Sequence, residues 1–395
     1  MKVFTNGRVP IKSWCNNPEA GAIEQATNLA NLPFIFKWLA LMPDTHQGYG
    51  MPIGGVLATN GVVIPNAVGS DIGCGMSFIE SDIKEWGRED LIEILKTIRA
   101  TIPVGFNKHK VKKTSDSIPS IESQFSNGEN LPIIRKEFDN ALFSVGTLGG
   151  GNHFIELQKN ESGNLCVMIH SGSRNLGKKV ADHYNKLAEE LNSKYFSSVP
   201  KEYDLAFLPL DSSEAQEYIS EMNYCVNFAL ANRMQMIFEC RMAICEAFQN
   251  KVEKVNFSNF INIPHNYARL ENHFGENVMV HRKGATSAKL NELGLIPGSQ
   301  GSSSYVVRGK GNVNSFSSCS HGAGRKLGRK EAQRTLNIEE EKNRLEKLGV
   351  IHAIRSVDDL DEAAGSYKDI DVVMEEQKDL IEIVQKLQPL AVVKG

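Results

Sequence analysis

Between Val68 and Met76 the chain reads Val-Gly-Ser-Asp-Ile-Gly-Cys-Gly-Met. Three glycines in so short a run weaken helix and strand alike, and they let the backbone approach a neighbour closely. Asp71 and Cys74, three residues apart, are therefore expected on a tight loop with both side chains aimed at one point. A carboxylate and a thiol so placed are a candidate metal site. The alternative is a turn with one buried free cysteine. Any fold of this chain must either bury that loop or set further ligands beside it.

The 395 residues, 41% hydrophobic and 23% charged, have ordinary globular composition and can bury a large core. That length allows two or three domains. No repeat, low-complexity tract or linker divides the chain, which favours one domain over 1–395. The net charge of -3 argues against a protein coated in positive charge but is compatible with a local basic groove for nucleic acid. The seven cysteines are irregularly spaced and include no CxxC pair, so they read neither as a disulfide framework nor as a zinc finger. The first residues carry no apolar signal-peptide core. The run Leu32–Met42 is too short to span a membrane and is interrupted by Lys37. A reducing cytoplasm, with no membrane partner, is the expectation.

Periodicity supplies the elements. Glu19–Asn31, Glu89–Thr101, Gly177–Tyr195 and Ser213–Gln249 read as helices, the last opened by a Ser213/Gln216 capping box with its Met, Phe and Ile positions in the core. Leu32–Leu41 is a buried strand or helix. Ile53–Pro65 reads as paired strands turning at Asn60-Gly61. Strands are expected near Phe154–Leu157, Leu165–His170, Asn256–Ile263, Asn277–His281 and Tyr305–Arg308. A basic helix is expected to open at Cys319–Arg325, and a final helix to cover Asp371–Leu387. The polar stretch 107–131, which begins Asn-Lys-His-Lys-Val-Lys-Lys, is expected as a surface loop.

Several of the ten histidines stand at strand ends or beside glycine: His153, His170, His265, His281 and His321. Strand ends beside turns are where sites are usually built. With Asp71 and Cys74 they supply enough N, O and S donors for two metal ions. Softness points to zinc for Cys with His, while Asp and His also suit manganese. Gly149-Gly150-Gly151 and Gly322-Ala323-Gly324 can cradle phosphates, the latter at an expected helix N-terminus. These residues suggest a dinuclear metalloenzyme acting on phosphates. Gly172–Lys179 nearly fits a P-loop, but its last position lacks the hydroxyl that holds magnesium, so the match is rejected.

Eight motifs occur in order along nearly the whole chain: SDIGCGM, GTLGGGNHFIE, HSGSR, HNY, RKGA, PGSQGSSSYVVRG, SHGAGR and VVKG. Together they resemble the RtcB family of GTP-dependent RNA ligases. The KxDG motif of lysine-nucleotidylating ligases is absent. The resemblance implies an α+β fold in which mixed β-sheets with surrounding helices enclose a central dinuclear metal cleft. It implies GTP and two Mn²⁺ as cofactors. Cys74 would bridge both ions, with His170 and His265 completing one site and Asp71 and His153 the other. His321 would be the covalent nucleophile. Asn152, Asn266, Ser299, Gly322, Ala323, Gly324 and Arg325 match positions near phosphates and ribose. Glu156, Ser304 and Lys394 match positions that read guanine. The implied partners are RNA with a 3′-phosphate or 2′,3′-cyclic phosphate end, RNA with a 5′-hydroxyl end, and an archease-like activator.

The residues following His321 and the Lys108–Lys113 stretch are candidates for the RNA backbone. His46 falls in a family motif without an assigned role. His109, His183, His273, His281 and His352 read as structural. Two other functions compete: a metal-dependent phosphodiesterase or phosphatase using the same ligands, and an RNA-binding or repair-complex subunit without catalysis.

Overall fold

The computed structural model describes residues 1–114, 116–119, 131–352 and 354–395. Most of the 107–131 stretch is thus described, apart from residues 115 and 120–130, which lie outside the described residues. The strands in chain order are β1 (Lys2–Phe4), β2 (Ile11–Ser13), β3 (Ile35–Tyr49), β4 (Met51–Thr59), β5 (Val62–Val63), β6 (Gly75–Ser81), β7 (Phe154–Asn160), β8 (Leu165–Ser171), β9 (Leu208–Pro209), β10 (Phe257–Pro264), β11 (Asn266–His273), β12 (Glu276–Lys283), β13 (Ala285–Ser287), β14 (Leu293–Ile296), β15 (Ser304–Gly309), β16 (Ser318–Ser320) and β17 (Ile381–Lys394). Two large sheets organise them. One has the order β1-β2-β3-β4-β12-β11, the other β10-β6-β8-β7-β17-β15-β14. The first is mixed, since β2 and β3 run parallel. The α+β architecture with surrounding helices is as expected.

The second sheet positions the chemistry. Along β8, Leu165, Val167 and Ile169 face the helices Arg88–Thr101 and Ser213–Phe248, while Cys166 and Met168 face the opposite side with Met76, Phe78, Ile261, Leu295 and Val306. This is the strand period of two. The edge strands β10 and β14 approach one another, so the sheet curls round that second cluster. His170 follows Cys166 and Met168 in parity. Register then sets Phe154 opposite His170, Glu156 opposite Met168, and Lys394 opposite Phe154. Phe154, Glu156, His170 and Lys394 therefore share one face at one end of the sheet.

Ser213–Phe248 is a helix of 36 residues, as the periodicity predicts. Its cap is one residue earlier than expected. Ser212 accepts a hydrogen bond from the Ala215 N–H, and Gln216 donates to the Leu210 carbonyl rather than closing a box. Met222, Phe228, Met236, Ile237, Ile244 and Phe248 are core, but Met234, Phe238 and Met242 form an exposed stripe. Asn60-Gly61 does not join paired strands. β4 pairs with β3 and β12, and β5 pairs with β9.

Two further expectations fail at the C-terminal end. Helix covers only Ile370–Glu376, and Ile381–Lys394 is a strand between β15 and β7. Both neighbours of that strand lie in the sheet, and their ladder hydrogen bonds override the local helical pattern. Nor does a helix open at Cys319–Arg325. Ser318–Ser320 is a strand, a loop follows, and the helix begins at Arg329. Gly324 sits at φ +75 with the Asp44 backbone against it, where a Cβ would lie 2.3 Å from the Asp44 carbonyl oxygen. The glycines of this loop therefore do not stand at a helix N-terminus.

Candidate metal centre and nucleotide cleft

The Asp71–Cys74 loop is the tight turn that its glycines suggest, closed by the Cys74 N–H on the Asp71 carbonyl at 3.1 Å. Gly73 lies at φ +79 with the backbone of the long helix against it, and a Cβ there would meet Val226 Cα at 2.9 Å. At Gly75 a Cβ would stand 2.1 Å from the Ile263 carbonyl oxygen, so only glycine lets β10 pass. Strand β10 then delivers His265, whose N–H donates to the Cys74 carbonyl at 2.8 Å.

Five donors converge. Cys74 Sγ is 3.2 Å from His170 Nε2 and 3.4 Å from His153 Nε2. His170 Nε2 is 3.3 Å from His265 Nε2, and His153 Nε2 is 3.3 Å from Asp71 Oδ2. Two sets of three result, Cys74/His170/His265 and Asp71/Cys74/His153, each with its donor atoms within 4.8 Å of one another. Both sets contain Cys74. His153 Nδ1 faces the Leu148 carbonyl at 3.0 Å and His170 Nδ1 the Asn152 carbonyl at 3.1 Å. As Nδ1–H donors they leave the Nε2 lone pairs aimed inward, the usual support for a metal-binding histidine. Burial first, then neighbouring positive charge, holds His170 and His265 well below the ordinary imidazole range, so both are neutral. Burial and the Asp71 carboxylate push the Cys74 thiol well up. A divalent cation would reverse that and draw off the thiol proton. Thiolate, imidazole and carboxylate in two overlapping sets fit a pair of metal ions.

The long helix holds this cluster together. Arg233, fully buried, donates from Nη1 to the Gly73 and Ser171 carbonyls at 3.0 and 2.8 Å, and from Nε to Asn262 Oδ1 at 2.8 Å. Its neighbour Asn232 accepts from the Gly146 N–H and donates to the Gly172 carbonyl. One helical turn thus ties the ends of β6, β8 and β10 to the loop before His153. No sequence signal marked these two residues; a buried Arg–Asn pair among the many polar positions of this helix is legible only once its partners are placed.

His321 leaves β16 beside this cluster, its ring 4.7 Å from that of His265. Asp44, fully buried on β3, accepts from His321 Nδ1 at 2.6 Å and from the backbone N–H groups of His321 and Gly322 at 3.0 and 3.3 Å. Nδ1 is thereby the protonated nitrogen, and Nε2 keeps its lone pair.

Beyond His321 a cleft of about 210 Å³ opens, lined by Asn152, Glu156, Ser299, Ser304, Gly322, Ala323, Gly324, Arg325 and Lys394. All the residues predicted to contact the nucleotide are present except Asn266. The Asn266 amide donates to the Asp71 carbonyl and accepts from the Gly284 N–H, which ties it to the Asp71–Cys74 loop. His46 also lines the cleft, lowered to about 4 by burial. At the far end Glu156 accepts from Gln158 at 2.5 Å, and burial raises its carboxyl to about 8 despite Gln158 and Lys394. Gln158 also donates to Ser304, which accepts from the Gly298 N–H. Glu362, missed in the sequence, gathers Arg325 at 3.2 Å, Arg329 at 3.0 Å and Lys394 at 3.8 Å, and accepts from the Tyr367 hydroxyl. An unpartnered buried Gln158 Oε1 remains beside Glu156. Glu156, Ser304, Lys394, the two arginines and the glycine loop after His321 line one cleft, a donor and acceptor set that suits a nucleotide.

Residues 25–395 match the family model described as tRNA-splicing ligase RtcB. The chain belongs to the RtcB family. It is 34% identical to the RNA-splicing ligase RtcB of Escherichia coli (strain K12), over 100% of this chain and 99% of that one. It is 34% identical to the tRNA-splicing ligase RtcB of Thermococcus kodakarensis, over 94% and 91% of the two chains, and 31% identical to that of Nanoarchaeum equitans, over 98% and 95%. The RtcB match covers the whole second sheet and the first from β3 onward, so the candidate metal cluster, His321 and the cleft all fall within it. Among the described residues no helix is long and apolar enough to cross a membrane.

Proposed function

We propose that this chain is an RNA ligase that joins RNA 3′-phosphate or 2′,3′-cyclic phosphate ends to 5′-hydroxyl ends, using GTP and two Mn²⁺. The observation that carries the reading is the placement of His321. Its Nδ1 is held by buried Asp44, and its ring lies between the two-set donor cluster and the cleft. A phosphatase could use the donor cluster and an oriented imidazole as general acid, but it needs no second cleft lined for a nucleotide.

Cys74 would be shared by the two ions, with His170 and His265 on one and Asp71 and His153 on the other. The ions would neutralise charge on phosphate oxygens and activate the water that opens a cyclic phosphate. The remaining work belongs to the chain. His321 Nε2 attacks the α-phosphorus of GTP; an N–P bond forms, and the bond to pyrophosphate breaks. Asp44 stabilises the positive ring as that bond forms. An oxygen of the RNA 3′-phosphate then attacks the same phosphorus, and the imidazole leaves. Finally the 5′-hydroxyl attacks the 3′-phosphate of the RNA, and GMP departs with the bonding electrons. Imidazole suits both roles, as a nucleophile near neutral pH and a good leaving group.

Asn152, Ser299, Gly322, Ala323, Gly324 and Arg325 would bind phosphates and ribose. Glu156 would accept from guanine N1–H and N2–H while Ser304 or Lys394 donates to O6, selecting GTP over ATP. Asn266, tied to the Asp71–Cys74 loop, would add a contact to the nucleotide. We assign the activity to one unit spanning 1–395, cytoplasmic, serving tRNA splicing or repair of cleaved RNA and open to an archease-like activator. The test is label transfer from α-labelled GTP in Mn²⁺. Acid-labile label on the chain that is lost in His321→Ala supports the reading. Absence of label, or label surviving in His321→Ala, overturns it. Phosphate released from RNA ends without GTP would favour the phosphatase.

A further inference from the structure

Phe106 is fully exposed, at 105% of its reference area, yet the loop that carries it is pinned. Gly105 donates to the Gly149 carbonyl at 2.8 Å, and Leu148 to the Pro103 carbonyl at 2.9 Å. Farther along, His109 donates to the Phe143 carbonyl and Lys113 to the Leu142 carbonyl. Arg174 reaches Thr147 Oγ1 from Nε at 3.0 Å and the Gly105 carbonyl from Nη2 at 3.5 Å. The partner of this loop is the glycine run that leads straight into Asn152 and His153. A Cβ on Gly150 would stand 3.7 Å from Gly105 Cα. Chain geometry then puts Phe106 Cα no more than about 17 Å from that of Asn152.

A single exposed apolar side chain is ordinary. The charges around this one are not. Lys108 is engaged with Asn140 and Lys112 with Asp139, whereas Lys110 and Lys113 have no ion pair or side-chain hydrogen bond among the described residues. An aromatic ring held open to solvent, on a backbone fixed to the site and followed in the same stretch by two lysines without partners among the described residues, suits the grip on a single strand. The ring stacks a base without reading it, and the cations follow the phosphates.

We propose that Phe106 is a stacking platform for a base of the RNA strand leading into the cleft, with Lys110 and Lys113 on its backbone. This rests on the ligase reading above. It adds a second contact region, outside the metal and nucleotide residues, and it makes strand recognition insensitive to base identity at that position.

The test measures anisotropy of a short fluorescent single-stranded RNA ending in a 3′-phosphate. Wild type is compared with Phe106→Ala, Phe106→Trp and Lys110→Ala/Lys113→Ala, with thermal melting to confirm folding. Loss of one stacked base weakens binding by roughly 5- to 100-fold, so Phe106→Ala is expected to lose that much with its salt slope unchanged, and Phe106→Trp to recover it. The double lysine variant is expected to bind with a salt slope shallower by about 1 to 2. Wild-type affinity in a folded Phe106→Ala overturns the proposal. So does a change confined to self-association in sedimentation, which would make Phe106 a protein contact. Self-labelling of wild type with GTP is run in parallel. If it fails while the RNA affinities behave as stated, the ligase reading falls and the strand platform stands.

Discussion

Asp44→Asn is the substitution that most directly probes how His321 is made reactive. The change is isosteric, and the new amide oxygen can still accept from the two backbone N–H groups that Asp44 Oδ2 now holds. What disappears is the charge facing His321 Nδ1, 2.6 Å away in a fully buried position. Two effects add. A hydrogen bond to a charged group contributes about 1.5–3 kcal/mol. In addition, the ring gains positive charge as Nε2 bonds to phosphorus, and a carboxylate about 4 Å from that charge stabilises it by about 4 kcal/mol at an effective dielectric of 20. These overlap, so the expected loss lies between about 10²- and 10³-fold in the rate of guanylylation. Where an amide presents N–H to the ring and locks the wrong tautomer, an Asp-to-Asn change beside a catalytic histidine costs more, about 10⁴-fold. The assay is single-turnover transfer of label from α-labelled GTP, with His321→Ala as the blank and thermal melting as the fold control. A folded Asp44→Asn that labels within about threefold of wild type would refute the assignment of Asp44 as the group that orients and charges His321.

Three further outcomes follow from the same geometry. Cys74→Ala is expected to reduce bound Mn²⁺ at both positions, measured by elemental analysis after equilibrium dialysis; loss of one ion alone contradicts a shared thiolate. Glu156, raised to about 8, is protonated in the folded chain where the unfolded chain is ionised, so wild type loses stability relative to Glu156→Gln as pH climbs from about 4.5 to 8. Melting temperatures of the two proteins without nucleotide should therefore diverge across that window, with Glu156→Gln higher at pH 8; a constant gap shows that the carboxyl ionises freely. Arg233→Met leaves the Gly73 and Ser171 carbonyls and Asn262 Oδ1 without their buried donor, which costs about 3 kcal/mol or more, read as a lowered urea midpoint.

Much of the site was legible in the chain because its ligands announce themselves locally. A histidine at the end of a strand pattern or a cysteine between glycines carries its chemistry and its backbone setting in the same few residues. Asp71, Cys74, His153, His170, His265 and His321 were marked that way, and the fold brings all six together. The residues that support them had no such signal. Asp44 is 277 positions from His321, and Glu362 reads as one more acid in a charged stretch.

Composition, periodicity and motif order thus determined the class of fold, the family resemblance and the inner set of candidate donors, since these depend on residue type and on neighbours a few positions away. The tertiary structure alone decided that Ile381–Lys394 is a strand rather than a helix, because ladder partners at β7 and β15 outweigh local propensity. It alone set Lys394 beside Glu156, through a register that no spacing encodes. And it alone paired Asp44 with His321 and Arg233 with three strand ends. Those contacts join distant parts of the chain, so their energy exists only when the whole fold has assembled.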